Sequence, residues 1–163
     1  TPRRLTELTI FALNILVREG LSFEVEFFGD RALPVPAAFP HRVRGVLEPA
    51  ALGDLYRTCD LGCVFSATNY SLVPLEMMAC GLPVVEFDGE NTRKTYPENA
   101  VAFAKPTPEA IADTIRTLLG DPDLQALHTA AGRAFVKELS WEKSARQMET
   151  ALSQTLGLPI LEK

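Results

Sequence analysis

The sequence is poor in the residues that build metal centres and disulfide frameworks: 163 residues hold three cysteines, two histidines and one tryptophan. An odd cysteine count excludes a complete set of disulfides. Cys59 and Cys63 lie four positions apart, but the segment reads as a helix end running into a strand, and Cys80 falls in an apolar helical stretch. With only His41 and His128 to join them, no Cys/His set has the spacing of a zinc site. The expectation is three buried, reduced thiols in a cytoplasmic protein. Long apolar runs are missing too. None approaches the roughly 20 residues that span a bilayer, and no basic-then-apolar leader opens the chain. Basic residues are the minority charge, 16 Lys and Arg against 21 Asp and Glu. That balance argues against nonspecific nucleic-acid binding, which needs a clustered basic face. The local excesses at Arg3-Arg4 and at His41, Arg42 and Arg44 read as solvated surface. Neither a G-x-G-x-x-G nor a Walker A sequence occurs, which weighs against dinucleotide and P-loop sites. The chain opens at Thr1 rather than at a methionine, and is read as a fragment or processed product.

What is present is an ordinary globular composition, 47% hydrophobic and 23% charged, in a length that suits one domain over residues 1–163. Helix and strand signals alternate. Leu5, Leu8, Ala12, Ile15 and Leu16 recur at helical spacing before Gly20. Residues 23–28 (FEVEFF) read as a strand, residues 43–46 as a weaker one, and Pro49 opens a short helix. Residues 61–65 (LGCVF) are apolar throughout, the pattern of a strand buried on both faces. A polar turn over 66–71 leads into a helix from about Val73 to Cys80, with Gly81 as its stop. Residues 83–87 (PVVEF) and 101–104 read as strands, with a turn over 88–91 between them. Thr107-Pro108, Asp121-Pro122 and Ser140-Trp141 mark three closing helices, each with an apolar stripe; the last stripe is Trp141, Ala145, Met148 and Leu152.

This alternation predicts an α/β fold: a Rossmann-like three-layer α/β/α sandwich with a mostly parallel sheet and C-terminal helices. Ligands of such sheets bind beyond the carboxyl ends of the strands, at the switch point in strand order. That directs attention to Gly29-Asp30, to the turn over 66–71 and to the turn over 88–91. The helix that follows residue 71 offers unpaired backbone N–H groups and positive partial charge, enough to hold phosphate without a basic side chain. Glu76 in its first turn can stabilise the helix dipole or accept hydrogen bonds from a ligand's hydroxyls.

Residues 74–85, PLEMMACGLPVV, resemble the P-x-x-E-A-M-A-C-G-x-P-V-V signature of family 4 (group 1) retaining glycosyltransferases. The resemblance extends to Gly45, Leu52 and Tyr56, to Cys59-Asp60, to Ser66, to the helix beginning near Thr107 and to Ser140-Trp141-Glu142. It implies the C-terminal, donor-binding half of a two-domain GT-B enzyme that transfers a hexose from a nucleoside diphosphate sugar, without a metal or other cofactor, to a glycan or lipid-linked acceptor. The acceptor site would lie in an N-terminal domain outside these residues, and the resemblance allows peripheral membrane association of the longer enzyme.

Carried over by position, Glu76 would bind the donor's ribose hydroxyls. The family's first glutamate falls eight positions earlier, at Thr68, where this sequence departs from the pattern at the donor sugar. Asn69, Tyr70 and Ser71 replace the usual glycine-rich turn, and the amides of Leu72 and Val73 would meet the diphosphate. Arg3 sits where the second of two diphosphate-neutralising cations falls, and its partner would precede Thr1. Gly29 and Val46 would lie beside the base and phosphates. On these grounds the 163 residues alone are expected to bind nucleotide weakly and to transfer nothing. The resembling fold also places a strand before the first helix, in mid-sheet, so a gap is expected there unless something fills it. The departure at Thr68 motivates an alternative: a non-catalytic sugar-nucleotide-binding or interaction module. A non-hydrolysing sugar-nucleotide epimerase is a weaker third reading, because its motifs differ from PLEMMACGLPVV.

Overall fold

A computed structural model describes residues 4–65, 67–68 and 71–157. Among the described residues, seven helices and five short strands follow in the order α1 (Thr6–Arg18), β1 (Val25–Phe27), β2 (His41–Val43), α2 (Pro49–Thr58), β3 (Gly62–Val64), α3 (Val73–Cys80), β4 (Val84–Phe87), α4 (Glu90–Thr95), β5 (Ala102–Ala104), α5 (Pro108–Gly120), α6 (Pro122–Lys137) and α7 (Trp141–Leu156). All strand pairings are parallel. They fall into two sheets, β1-β2 and β3-β4-β5, with no ladder between β1 and β3 among the described residues.

Two apolar layers enclose the strands. On one face Ile10, Ala12 and Leu16 of α1 pack with Ile111, Ile115 and Leu118 of α5 over Phe65, Val85 and Ala104. On the other, Tyr56 of α2 and Met77 and Met78 of α3 pack over Val84 and Val101, with Phe135 of α6 against them. Val84 and Val85 thus face opposite layers, as strand alternation requires, and both are fully buried. The sequence-predicted three-layer α/β/α arrangement is the one observed.

Local chemistry accounts for the helix starts. The Thr107 and Asp121 side chains accept hydrogen bonds from the backbone N–H groups of Ala110 (3.2 Å) and Leu124 (2.9 Å), each ahead of a proline at the first helical position. Ser140 does the same for Lys143 at 3.1 Å. Helix α6 approaches α3 closely because Gly132 has no side chain; a Cβ there would lie 2.8 Å from Met78 Cγ.

Four expectations need correction. The second strand runs from His41 to Val43 rather than over 43–46. Its residues are exposed, so apolarity did not mark it; Glu26 of β1, opposite Arg42 in the register, draws both Arg42 and Arg44 across. Gly45, at φ 65°, then ends the extended backbone. The strand over 61–65 packs into both layers but is incompletely buried: Gly62 and Phe65 are buried, whereas Leu61, Cys63 and Val64 are half-buried. The turn over 88–91 leads straight into α4, where the Thr92 hydroxyl holds Gly89 N–H at 3.1 Å. Helix α7 buries no residue, and its expected core stripe is open, with Trp141 78% and Met148 63% exposed.

Candidate functional site

Three contacts link the turns after β1 and β2 to helices α2 and α3. Gly29, just past β1, donates its N–H to the carbonyl of Gly45, just past β2, at 2.7 Å, and both glycines have positive φ. A side chain at either position would strain that backbone, so glycine is what lets the two turns meet. Next to Gly29, the Phe28 ring packs edge-on against Tyr56 of α2, with centroids 5.7 Å apart. Tyr56 is buried, and its hydroxyl donates to Glu76 Oε2 of α3 at 3.4 Å. Burial, reinforced by the Glu76 carboxylate, pushes the Tyr56 phenol well above the ordinary tyrosine range, so it stays a proton donor. A continuous path Gly29–Phe28–Tyr56–Glu76 therefore joins the end of β1 to the start of α3.

Helix α3 begins with no side-chain cap of the usual geometry; Ser71, buried, reaches Val73 N–H only at 3.4 Å. Pro74 contributes no N–H. Leu72 is exposed and helical in its backbone angles, and this first turn carries the positive end of the helix dipole. Glu76 is exposed in that same turn.

A cavity of about 180 Å³ opens at the ends of β1 and β2, lined by Phe27, Phe28, Asp30, Leu33, Pro34 and Val43, with Thr6 at the start of α1 on its wall. Val46, 81% exposed, projects from the adjoining turn. A larger open hollow of about 640 Å³ runs along α7 between residues such as Lys143, Arg146 and Gln154. No strand-end residue lines it, and only Ser140 lies outside the helix, so we assign it no part in the site.

Of the residues predicted from sequence, Gly29, Val46, Ser71, Leu72, Val73 and Glu76 lie at this rim. Thr68 is exposed in the loop between β3 and α3. Arg3, Ser66, Asn69 and Tyr70 lie outside the described residues. Two described arginines are engaged with carboxylates: Arg44 with Glu26, and Arg93 with Asp88 while stacking 4.6 Å above the Phe103 ring. Arg93 holds the Asp88 carboxyl below its usual range. Sequence reading missed the Tyr56–Glu76 contact. The spacing of Tyr56 and Glu76 carries no signal, because the two meet across helices 20 residues apart. It also missed Glu86, a fully buried carboxylate on β4 that accepts from Phe87 N–H at 2.8 Å. Together with burial, that carboxylate pushes the Cys63 thiol far up, leaving it inert. No described helix is long and apolar enough to cross a membrane.

Parallel strands enclosed by helices on both faces, with a helix amino terminus and glycine turns near the strand ends, make a Rossmann-like architecture of the kind that forms one half of a GT-B glycosyltransferase. The comparisons narrow this class to a family. The model described as WsaF, C-terminal domain, matches residues 1–116, and the chain belongs to that family. The O-antigen biosynthesis protein RfbC of Myxococcus xanthus is 32% identical over 166 residues, 94% of this chain and 12% of that protein. A D-inositol 3-phosphate glycosyltransferase of Xylanimonas cellulosilytica is 32% identical over 111 residues, 66% of this chain and 27% of the other. The present chain thus spans well under half of either relative. Sucrose-phosphate synthase from Thermosynechococcus elongatus superposes with a TM-score of 0.74 at 22% identity, over 94% of this chain and 44% of that one. HepE of Anabaena, solved with UDP and glucose, gives 0.65 at 15% identity, over 91% and 55%.

Proposed function

We propose that this domain binds the nucleoside diphosphate sugar of a retaining hexosyltransferase. The observation that carries the reading is the start of α3, where Leu72 and Glu76 are exposed and Glu76 is braced by Tyr56, together with the Gly29–Gly45 turns. In this arrangement the diphosphate rests on the amides of Leu72 and Val73, Glu76 accepts from the ribose hydroxyls, and the base lies toward the Phe28–Pro34 cavity under Val46. HepE, a structural neighbour, was solved with UDP and glucose, which supports a ligand of this class.

As the sugar leaves with retention at its anomeric carbon, negative charge accumulates on the diphosphate. A fixed helix dipole stabilises that charge more than it stabilises the intact donor, which lowers the barrier. No step in this scheme draws on a metal. The acceptor, glycan or lipid-linked, is held by polypeptide beyond these 163 residues, so this chain alone binds nucleotide without transferring sugar. The same proposal places the enzyme in the cytoplasm, at most peripherally on a membrane.

Thermal-shift titration with UDP, GDP, ADP and dTDP tests the reading. At least one stabilises the chain at millimolar concentration, and Glu76→Ala abolishes most of that shift. Robust transfer by the isolated chain would contradict the division of labour. The exposed Thr68, in place of a sugar-contacting carboxylate, is the observation that favours a second reading, a non-catalytic module, and failure of all four nucleotides to stabilise supports it.

A further inference from the structure

Phe28 belongs to two parts of the rim at once. It lines the cavity of about 180 Å³ with Phe27, Pro34 and Val43, and its ring stands edge-on to Tyr56 with centroids 5.7 Å apart. Its backbone is held on both sides. The preceding carbonyl, Phe27 O, accepts from Arg44 N–H at 2.8 Å, and the following amide, Gly29 N–H, donates to Gly45 O at 2.7 Å. With both flanking peptide groups tied to the segment leaving β2, a change inside the cavity is answered by the Phe28 side chain rather than by its main chain.

The partner ring carries that answer further. Tyr56 is the one buried residue of α2, and edge-to-face rings keep a preferred angle and separation, so its position follows that of Phe28. Among the described residues, its hydroxyl is the one hydrogen-bond donor to the Glu76 side chain. At 3.4 Å the bond is long for an O–H donor. A small displacement of the ring therefore decides whether it forms. A contact with two such arrangements is what coupling between neighbouring sites requires.

We infer that Phe28 is a positioning residue that couples base recognition to ribose recognition. A base filling the strand-end cavity sets the Phe28 ring, and through Tyr56 it sets the Glu76 carboxylate for the ribose hydroxyls. The inference rests on the nucleotide reading proposed above, and adds that the two ends of the ligand are recognised cooperatively rather than additively. The site then selects a complete nucleoside diphosphate and gains little from Glu76 when the base is missing. Such coupling is reciprocal: the ribose hydroxyls strengthen base binding by the factor by which the base strengthens theirs.

Calorimetry with matched ribo- and 2′-deoxyribonucleoside diphosphates tests it, pairing UDP with dUDP, GDP with dGDP and ADP with dADP. For a base that binds, the unsubstituted chain favours the ribonucleotide about two- to tenfold, the worth of one such hydrogen bond. Phe28→Ala brings that ratio close to one. So does Phe28→Leu, which keeps apolar bulk in the core and removes only the ring edge. Phe28→Tyr retains the ring and the ratio. Adding Tyr56→Phe to Phe28→Leu changes the ratio no further, because both cut one link. A Phe28→Leu chain that loses affinity for ribo- and deoxyribonucleotides alike, with the ratio kept, makes Phe28 a cavity wall only. That result overturns the inference and leaves the nucleotide reading standing. A ratio of one in the unsubstituted chain overturns the inference at its ribose end. No saturable binding by any of the six overturns the nucleotide reading itself, and the inference falls with it.

Discussion

Tyr56 controls where the Glu76 carboxylate sits, because its hydroxyl is the hydrogen-bond donor that reaches it from α2 and its ring is clamped by Phe28. Tyr56→Phe keeps the ring contact and deletes the donor. A hydrogen bond of this kind contributes about 0.5–1.5 kcal/mol, so nucleotide affinity should fall about two- to tenfold, measured by calorimetry. A 2′-deoxynucleotide, which offers Glu76 less to bind, should lose less. Equal losses for both sugars would remove Tyr56 from ribose recognition. A second residue-level test concerns His128, buried on α6, whose ring bonds the Asn99 backbone. Burial lowers its pKa below the ordinary histidine value, so the unfolded chain binds the proton more readily than the folded one. Stability is therefore complete above about pH 6.5 and declines as pH falls through the window below it. His128→Gln should flatten that decline in urea titrations between pH 7 and 5; an unchanged slope would show that other groups cause it.

At the scale of elements, packing rather than propensity decides the α3–α6 contact. Gly132→Val introduces methyl groups where a Cβ already meets Met78 at 2.8 Å and the Ala100 carbonyl at 3.3 Å. Overpacking of this sort costs about 1–3 kcal/mol, visible as a lower urea midpoint with an unchanged slope; a neutral result would mean that α3 and α6 separate easily. The elements themselves were legible to different degrees, for physical reasons. Helices α5 and α6 announce themselves through Thr107-Pro108 and Asp121-Pro122, since a cap and a proline act locally. Strand β2 was misplaced because ion pairs with Glu26 hold it, and those depend on a partner 16 residues away. Helix α4 was hidden behind Asp88-Gly89, a turn signal that here precedes a helix. The stripe on α7 was legible as amphipathic, but a stripe does not name its partner, and none of the described residues buries it.

At the scale of the whole molecule, alternation of helix and strand was enough to give the class of fold, and the switch-point rule located the rim where Gly29, Gly45 and the start of α3 meet. The residue roles proposed at that rim rest on the resemblance of the PLEMMACGLPVV segment, because geometry alone leaves them open. What could not be read was the path linking the parts of the rim, because Phe28, Tyr56 and Glu76 come from three elements and meet only after α2 docks on α3. The division of the strands into two sheets was foreshadowed only as a gap.

The central claim is that nucleotide binds at this rim and not along α7, whose hollow is larger. Amide chemical-shift mapping during titration with UDP, and with the other three nucleotides in turn, decides between them. The account predicts saturable shifts at Gly29, Val46, Leu72, Val73 and Glu76 for at least one nucleotide, with Tyr56→Phe moving the Glu76 response. Shifts confined to Lys143, Arg146, Gln147 and Thr150, or no saturable shift with any of the four, would contradict it.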